Sequence, residues 1–201
     1  FAARRDKKID GRSGVSQRLP ISALENAVSN AERRSLLAGE SPAVPRISDI
    51  YAALPSLTGK FELEYEGELL GAESVARELI RQAVGEVFSV YMGGVDFSPV
   101  VAFFEAGGTL RIREDSPASE VLGQLHQVPE VLEHVPLLGA KPEDPAPLLA
   151  AGGEFVLEGL WAQKKVGRSD DRGFVAAERR EDTELDLERL ERLRKLRRQV
   201  N

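Results

Sequence analysis

Two arginines, Arg12 and Arg18, flank the polar turn Ser13-Gly14-Val15-Ser16-Gln17, which leads through Leu19 and Pro20 into a helical pattern. A guanidinium stays charged at any physiological pH and can hold an oxyanion through two parallel hydrogen bonds. Arg18 stands at the junction of loop and helix, where unpaired backbone amides also gather. Gly14 would shape the turn, and Ser16 or Ser22 could cap the free amides. The same residues also fit a surface arginine beside an ordinary helix start. Other chemistry finds little to work with. The chain has no cysteine, so disulfides, thiolate metal sites and a cysteine nucleophile are excluded. Its two histidines, His126 and His134, lie on opposite sides of Pro129 and make a poor metal pair. Neither Gly-x-Ser-x-Gly nor Gly-x-x-x-x-Gly-Lys-Ser/Thr occurs. Glu62, Glu64, Glu66 and Glu68 alternate along one stretch and read as a solvated edge more readily than as a cation site.

The elements that must position these residues are mostly helical by period. Leu24, Val28, Ala31 and Ser35 share a face in a helix from Pro20 to Ala38, which Gly39 ends. Ser48 opens a short helix that stops before Pro55. Phe61 to Tyr65 alternates like a half-buried strand or extended arm. Val75, Leu79, Ala83, Val87 and Tyr91 run down a long helix over 72–91, with Ile80, Val84 and Phe88 widening its apolar face. A face that broad must be covered by other elements or by a partner. Further helices are expected over 97–105, 117–127, 129–138 and 148–165, the last bent or broken where Gly152, Gly153 and Gly159 weaken it. Residues 109–113 could be a short strand, and 168–173 a polar loop. From Thr183 to Asn201 a leucine stripe recurs, with acids early and bases late. The expected fold is mainly α, with at most two or three short strands. Its divisions are 1–58, 59–165 and 166–201.

Gly14-Val15-Ser16-Gln17-Arg18-Leu19 resembles the turn that opens the lid helix in the MoxR and magnesium-chelatase subunit I branch of the AAA+ ATPases. Gln17 stands where that turn usually has proline, and Val15 where it has alanine. The wider stretch, with Ile47 to Lys60 and Tyr65-Glu66-Gly67-Glu68, is similar to bacterial chelatase-I-like ATPases over about the first half of the chain. The resemblance implies an AAA+ lid over 1–58 and a sensor-2 role for Arg18, reaching the γ-phosphate of ATP. Gly14 and Ser16 would then support that arginine, and Arg12 would be a lesser candidate for phosphate or a neighbouring subunit. ATP and Mg²⁺ would come with a nucleotide-binding core that this sequence does not contain. The chain would be the C-terminal part of a longer ATPase, inactive alone. Its implied partners are its own core, neighbouring subunits of a ring, and a client protein.

The bulk properties fit that expectation. Across 201 residues the net charge is −6, which argues against nucleic-acid binding by overall charge. No apolar run approaches the length of a membrane span. The lack of cysteine suits a cytoplasmic protein. The alternative is a helical protein-interaction scaffold with no nucleotide role.

Overall fold

A computed structural model describes residues 2–12 and 15–177. The fold is mainly helical, with one two-stranded antiparallel sheet among the described residues. In chain order the helices are α1 (Ala2–Arg5), α2 (Leu19–Ala38), α3 (Ile47–Ala52), α4 (Leu54–Leu57), α5 (Tyr65–Leu70), α6 (Ala72–Met92), α7 (Ser98–Glu105), α8 (Ala118–Leu125) and α9 (Ala146–Ala162). A hairpin of β1 (Val166–Ser169) and β2 (Gly173–Ala176) follows. The tail pattern over 183–201 lies outside the described residues.

Helices α6 and α9 pack along each other and form the spine. One end of α6 inserts Val75, Ala76, Ile80 and Val84 into an apolar cluster with Ala3, Ile9, Tyr51, Leu54, Leu57 and Phe61. The lid-like segment expected over 1–58 therefore takes part of its core from α6. The other end gives Phe88 and Met92 to a second cluster with Phe97, Val100, Phe104, Leu125, Leu157, Leu160 and Phe174. Phe155 and Trp161 touch both clusters.

Several expectations need correction. Helix α9 runs unbroken through Gly152, Gly153 and Gly159. A Cβ on Gly159 would collide with the Phe88 ring, and one on Gly153 with Leu125. Their absence lets α6 and α8 approach the α9 backbone closely, and that packing offsets roughly 1 kcal/mol of propensity per glycine. On α2 the buried face is Ala27, Ala31, Arg34 and Ser35, whereas Leu24 is exposed. On α6 the covered stripe is Val75, Ala76, Ile80, Val84, Phe88 and Met92, which leaves Val87, Val90 and Tyr91 exposed. Helix α3 begins one residue before Ser48. Residues 129–138 form turns and a short 3-10 helix at Val135–Leu138: Glu130, with a φ of 61°, lies outside the right-handed helical region, and Pro136 has no amide to donate.

The stretch read as a polar loop over 168–173 lies largely in the hairpin, with Ser169 opposite Gly173 across its turn. Leu110 meets Phe174 in a single bridge, with no strand over 109–113. Residues 61–63 form only isolated bridges, Val15 to Phe61 and Ile9 to Leu63. The alternation of Glu62 to Glu68 ends at Tyr65, where α5 begins. No helix among the described residues is long and apolar enough to cross a membrane.

Candidate functional site

The turn before α2 is tied down by its backbone. The Ser16 amide donates to the Lys60 carbonyl at 2.8 Å and the Asp10 amide to the Glu62 carbonyl at 2.9 Å. Ser16 Oγ accepts the Arg18 amide at 3.2 Å, and the Ser16 carbonyl accepts the Leu19 amide at 3.0 Å. Ser16 thus braces the turn, while Arg18 itself takes the cap position with no side-chain cap. The Ser22 amide donates to the Arg18 carbonyl at 2.8 Å. The Arg18 side chain is exposed and makes no ion pair among the described residues. Arg12 is also exposed; its amide donates to Asp10 Oδ1 at 2.7 Å. Gly14 lies outside the described residues. One and two turns along α2 from Arg18, Ile21 and Leu24 project apolar side chains that are 56% and 66% exposed.

The other end of α2 enters a different environment. Arg34 is buried, and its Nη2 donates to Asp49 Oδ2 and to the Val44 carbonyl, each at 2.9 Å. Asp49 Oδ2 also accepts the Arg46 amide at 2.8 Å. Arg46 is 2% exposed; its Nη2 donates to the Glu114 carbonyl at 2.9 Å, and its Nε lies 3.5 Å from Glu154 Oε2. Glu154 Oε1 accepts the Ser48 amide at 2.7 Å, which joins α9 to the start of α3. Burial raises the Glu154 pKa and lowers that of Arg46, with their mutual attraction opposing both shifts.

One turn further along α9, Glu158 is 2% exposed and paired with Arg168 of β1. Burial pushes its carboxyl up to about 7, and the charge of Arg168 opposes that rise. The Arg168 guanidinium sits 5.5 Å from the Tyr51 ring centre, 5.2 Å from that of Trp161 and 5.3 Å from that of Phe174. Burial, followed by the nearby Glu158 charge, raises the Tyr51 hydroxyl far above its ordinary value. A cleft of about 930 Å³ opens over these groups, with Arg33, Leu37, Arg111 and Asp170 among its lining.

Sequence reasoning singled out Arg18 and Arg12, which the fold leaves exposed and outside this cleft, and it did not anticipate the cleft. It had a signal. Glu154 and Glu158 stand four apart within a helix whose neighbouring residues are almost all apolar, a placement that demands buried partners. The two histidines are not brought together as ligands: His134 stands edge-on to Phe97 with ring centres 4.6 Å apart, and His126 is exposed at the end of α8. No group of three His, Cys, Asp or Glu suited to a metal ion occurs among the described residues. Compared with family models, with curated proteins and with solved structures, the chain matches none.

Proposed function

We propose that this chain is the nucleotide-sensing and partner-coupling part of an AAA+ ATPase of the magnesium-chelatase I-like type, with Arg18 as the residue that meets the triphosphate. The carrying observation is the contrast along α2. Its cap position presents an exposed guanidinium without an ion pair among the described residues, and its last turns are anchored by the Arg34–Asp49 pair. A helix fixed at one end and charged at the other can pass a small displacement into the body. Ile21 and Leu24 give the same end an apolar surface that docking on a nucleotide-binding core would cover. ATP and Mg²⁺ would be held by that core, since the described residues offer no metal-binding group of their own and the sequence has no phosphate loop. The coupled work would be remodelling a client protein or loading a metal into it.

The test is ATP turnover by the full-length ATPase carrying Arg18→Ala. Loss of a charge-assisted contact worth about 1.5–3 kcal/mol should slow turnover by roughly tenfold or more. An unchanged rate would remove the reading. A second reading, a helical interaction scaffold without a nucleotide role, draws on the exposed Val87, Val90 and Tyr91 of α6. A phosphate loop in the reading frame ahead of Phe1 would count against it.

A further inference from the structure

One line of α6 changes character half way along. Ala76 and Leu79 pack into the cluster that the N-terminal segment fills. Ala83, Val87 and Val90 continue that line at helical steps of three and four, yet all three are exposed. Val90 is 81% exposed, and Tyr91 beside it 53%. An apolar stripe covered over its first half and open over its second calls for a cover that lies elsewhere in the molecule or in a partner.

The described chain ends beside the open half. Ala176 is paired with Val166, a few residues after Gln163, and Gln163 Nε2 donates to Ser89 Oγ at 3.2 Å. The chain beyond Ala177 therefore leaves the body near the last turns of α6. Residues 178–182 can stretch about 18 Å, and a helix over 183–200 would be about 27 Å long, enough to lie across Val87 and Val90. The exposed Tyr65 and Leu69 of α5, by contrast, precede the first turn of α6, about 30 Å from its last.

The sequence of 183–200 supplies a matching face. Leu190, Leu193, Leu196 and Val200 recur at helical spacing. Charges match as well. Lys164 and Lys165, where the chain leaves the body, are exposed and make no ion pair among the described residues, and the departing segment opens with Glu181, Asp182, Glu184 and Asp186. Glu86, next to Val87, makes no ion pair among the described residues either, while Arg189 and Arg192 adjoin Leu190 and Leu193. We infer that residues 183–200 dock in cis, as a helix, on the face of α6 formed by Ala83, Val87, Val90 and Tyr91. Tethering through the hairpin gives this segment a local concentration that a second copy would match only in concentrated protein. A partner using Val87, Val90 and Tyr91 must then displace the segment first, whichever function the chain serves.

Hydrogen exchange on the full chain tests this, with the free peptide 183–201 as reference. Amides over 187–200 should exchange at least about tenfold more slowly in the chain than in the peptide, at every protein concentration. Val87→Glu with Val90→Glu should return them to the peptide rate, whereas Leu36→Glu, at an exposed position of α2, should not. Circular dichroism verifies the helical body of each variant. The chain has no cysteine, so a second measurement labels the thiol of Val90→Cys alone. Adding Leu190→Glu with Leu193→Glu should raise that labelling rate at least about threefold, because the cover is lost. Exchange at the peptide rate in the native chain, protection that survives the change on α6, or labelling indifferent to the change at Leu190 and Leu193 would each overturn the inference. Protection lost on dilution would overturn it too, since the segment would then come from a second copy.

Discussion

Arginine does opposite things at the two ends of α2 and beyond it. Arg18 projects into solvent from the cap position of α2, held through its backbone by Ser16 and Ser22. Arg34, Arg46 and Arg168 are held by Asp49, Glu154 and Glu158 respectively, and the first two are buried. The exposed residue costs the fold almost nothing and keeps its charge available. The buried pair Arg46–Glu154 joins segments 108 positions apart and must first overcome the cost of leaving water. Residue type alone therefore does not separate a charge that works on a ligand from one that orders the fold; the partners do.

The sharpest way to break the comparison is to remove a buried arginine. Arg46→Met keeps the bulk but leaves the Glu154 carboxylate without its cation, and should cost about 3–5 kcal/mol in urea unfolding. Pairing it with Glu154→Met should recover much of that loss, because the unpaired charge goes too. If Arg46→Met alone were tolerated within experimental error, the network would not be ordering the fold.

Glu158 gives the next effect, and it depends on pH. Its carboxyl titrates near 7 in the folded chain, above the ordinary 4.5, because burial favours the neutral form. The folded state thus holds this proton more tightly than the unfolded state does. The corresponding stability is fully present below about pH 4.5 and is lost as pH rises through 7. The difference approaches about 3 kcal/mol as an upper limit, at 1.36 kcal/mol for each pKa unit. Glu158→Gln should remove that pH dependence, so its stability relative to the native chain should climb between pH 5 and pH 8. Parallel pH curves for the two proteins would show that the carboxyl titrates normally.

Gly159→Ala tests the spine that carries both acids. The added methyl meets Phe88 within the core, and such overpacking costs about 1–3 kcal/mol. Against it stands a helix-propensity gain of roughly 1 kcal/mol. Net destabilisation is expected; stabilisation would mean that Phe88 can move aside freely.

These positions also show what could be read from the chain alone. Long periodic helices were legible: α2 and α6 fall within a residue of their expected ends, since an apolar repeat and glycine stops are local signals. Which stripe of α6 is covered was not, because Val87 and Phe88 are equally apolar and only the position of α9 decides between them. The glycines of α9 misled for the same reason, as their value lies in Phe88 and Leu125, distant in sequence. The exposed position of Arg18 followed from its turn. Glu154 and Glu158 in an apolar helix announced buried partners, but the aromatic rings around Arg168 could not be read in advance, since Tyr51, Trp161 and Arg168 meet only after α3, α9 and the hairpin have packed.

The smallest expected effect sharpens the comparison most. Arg18→Ala removes no hydrogen bond made by its side chain among the described residues, and the amide that Ser16 holds survives the change. Its unfolding free energy should stay within about 0.5 kcal/mol of the native value, the range of an ordinary surface substitution. Were it to fall by an amount like that expected for Arg46→Met, Arg18 would belong with the arginines that order the fold. A slowed ATP turnover in its variant would then reflect a damaged helix instead of a missing contact to phosphate. Stability held constant while turnover drops is therefore the result that separates a sensing arginine from a structural one.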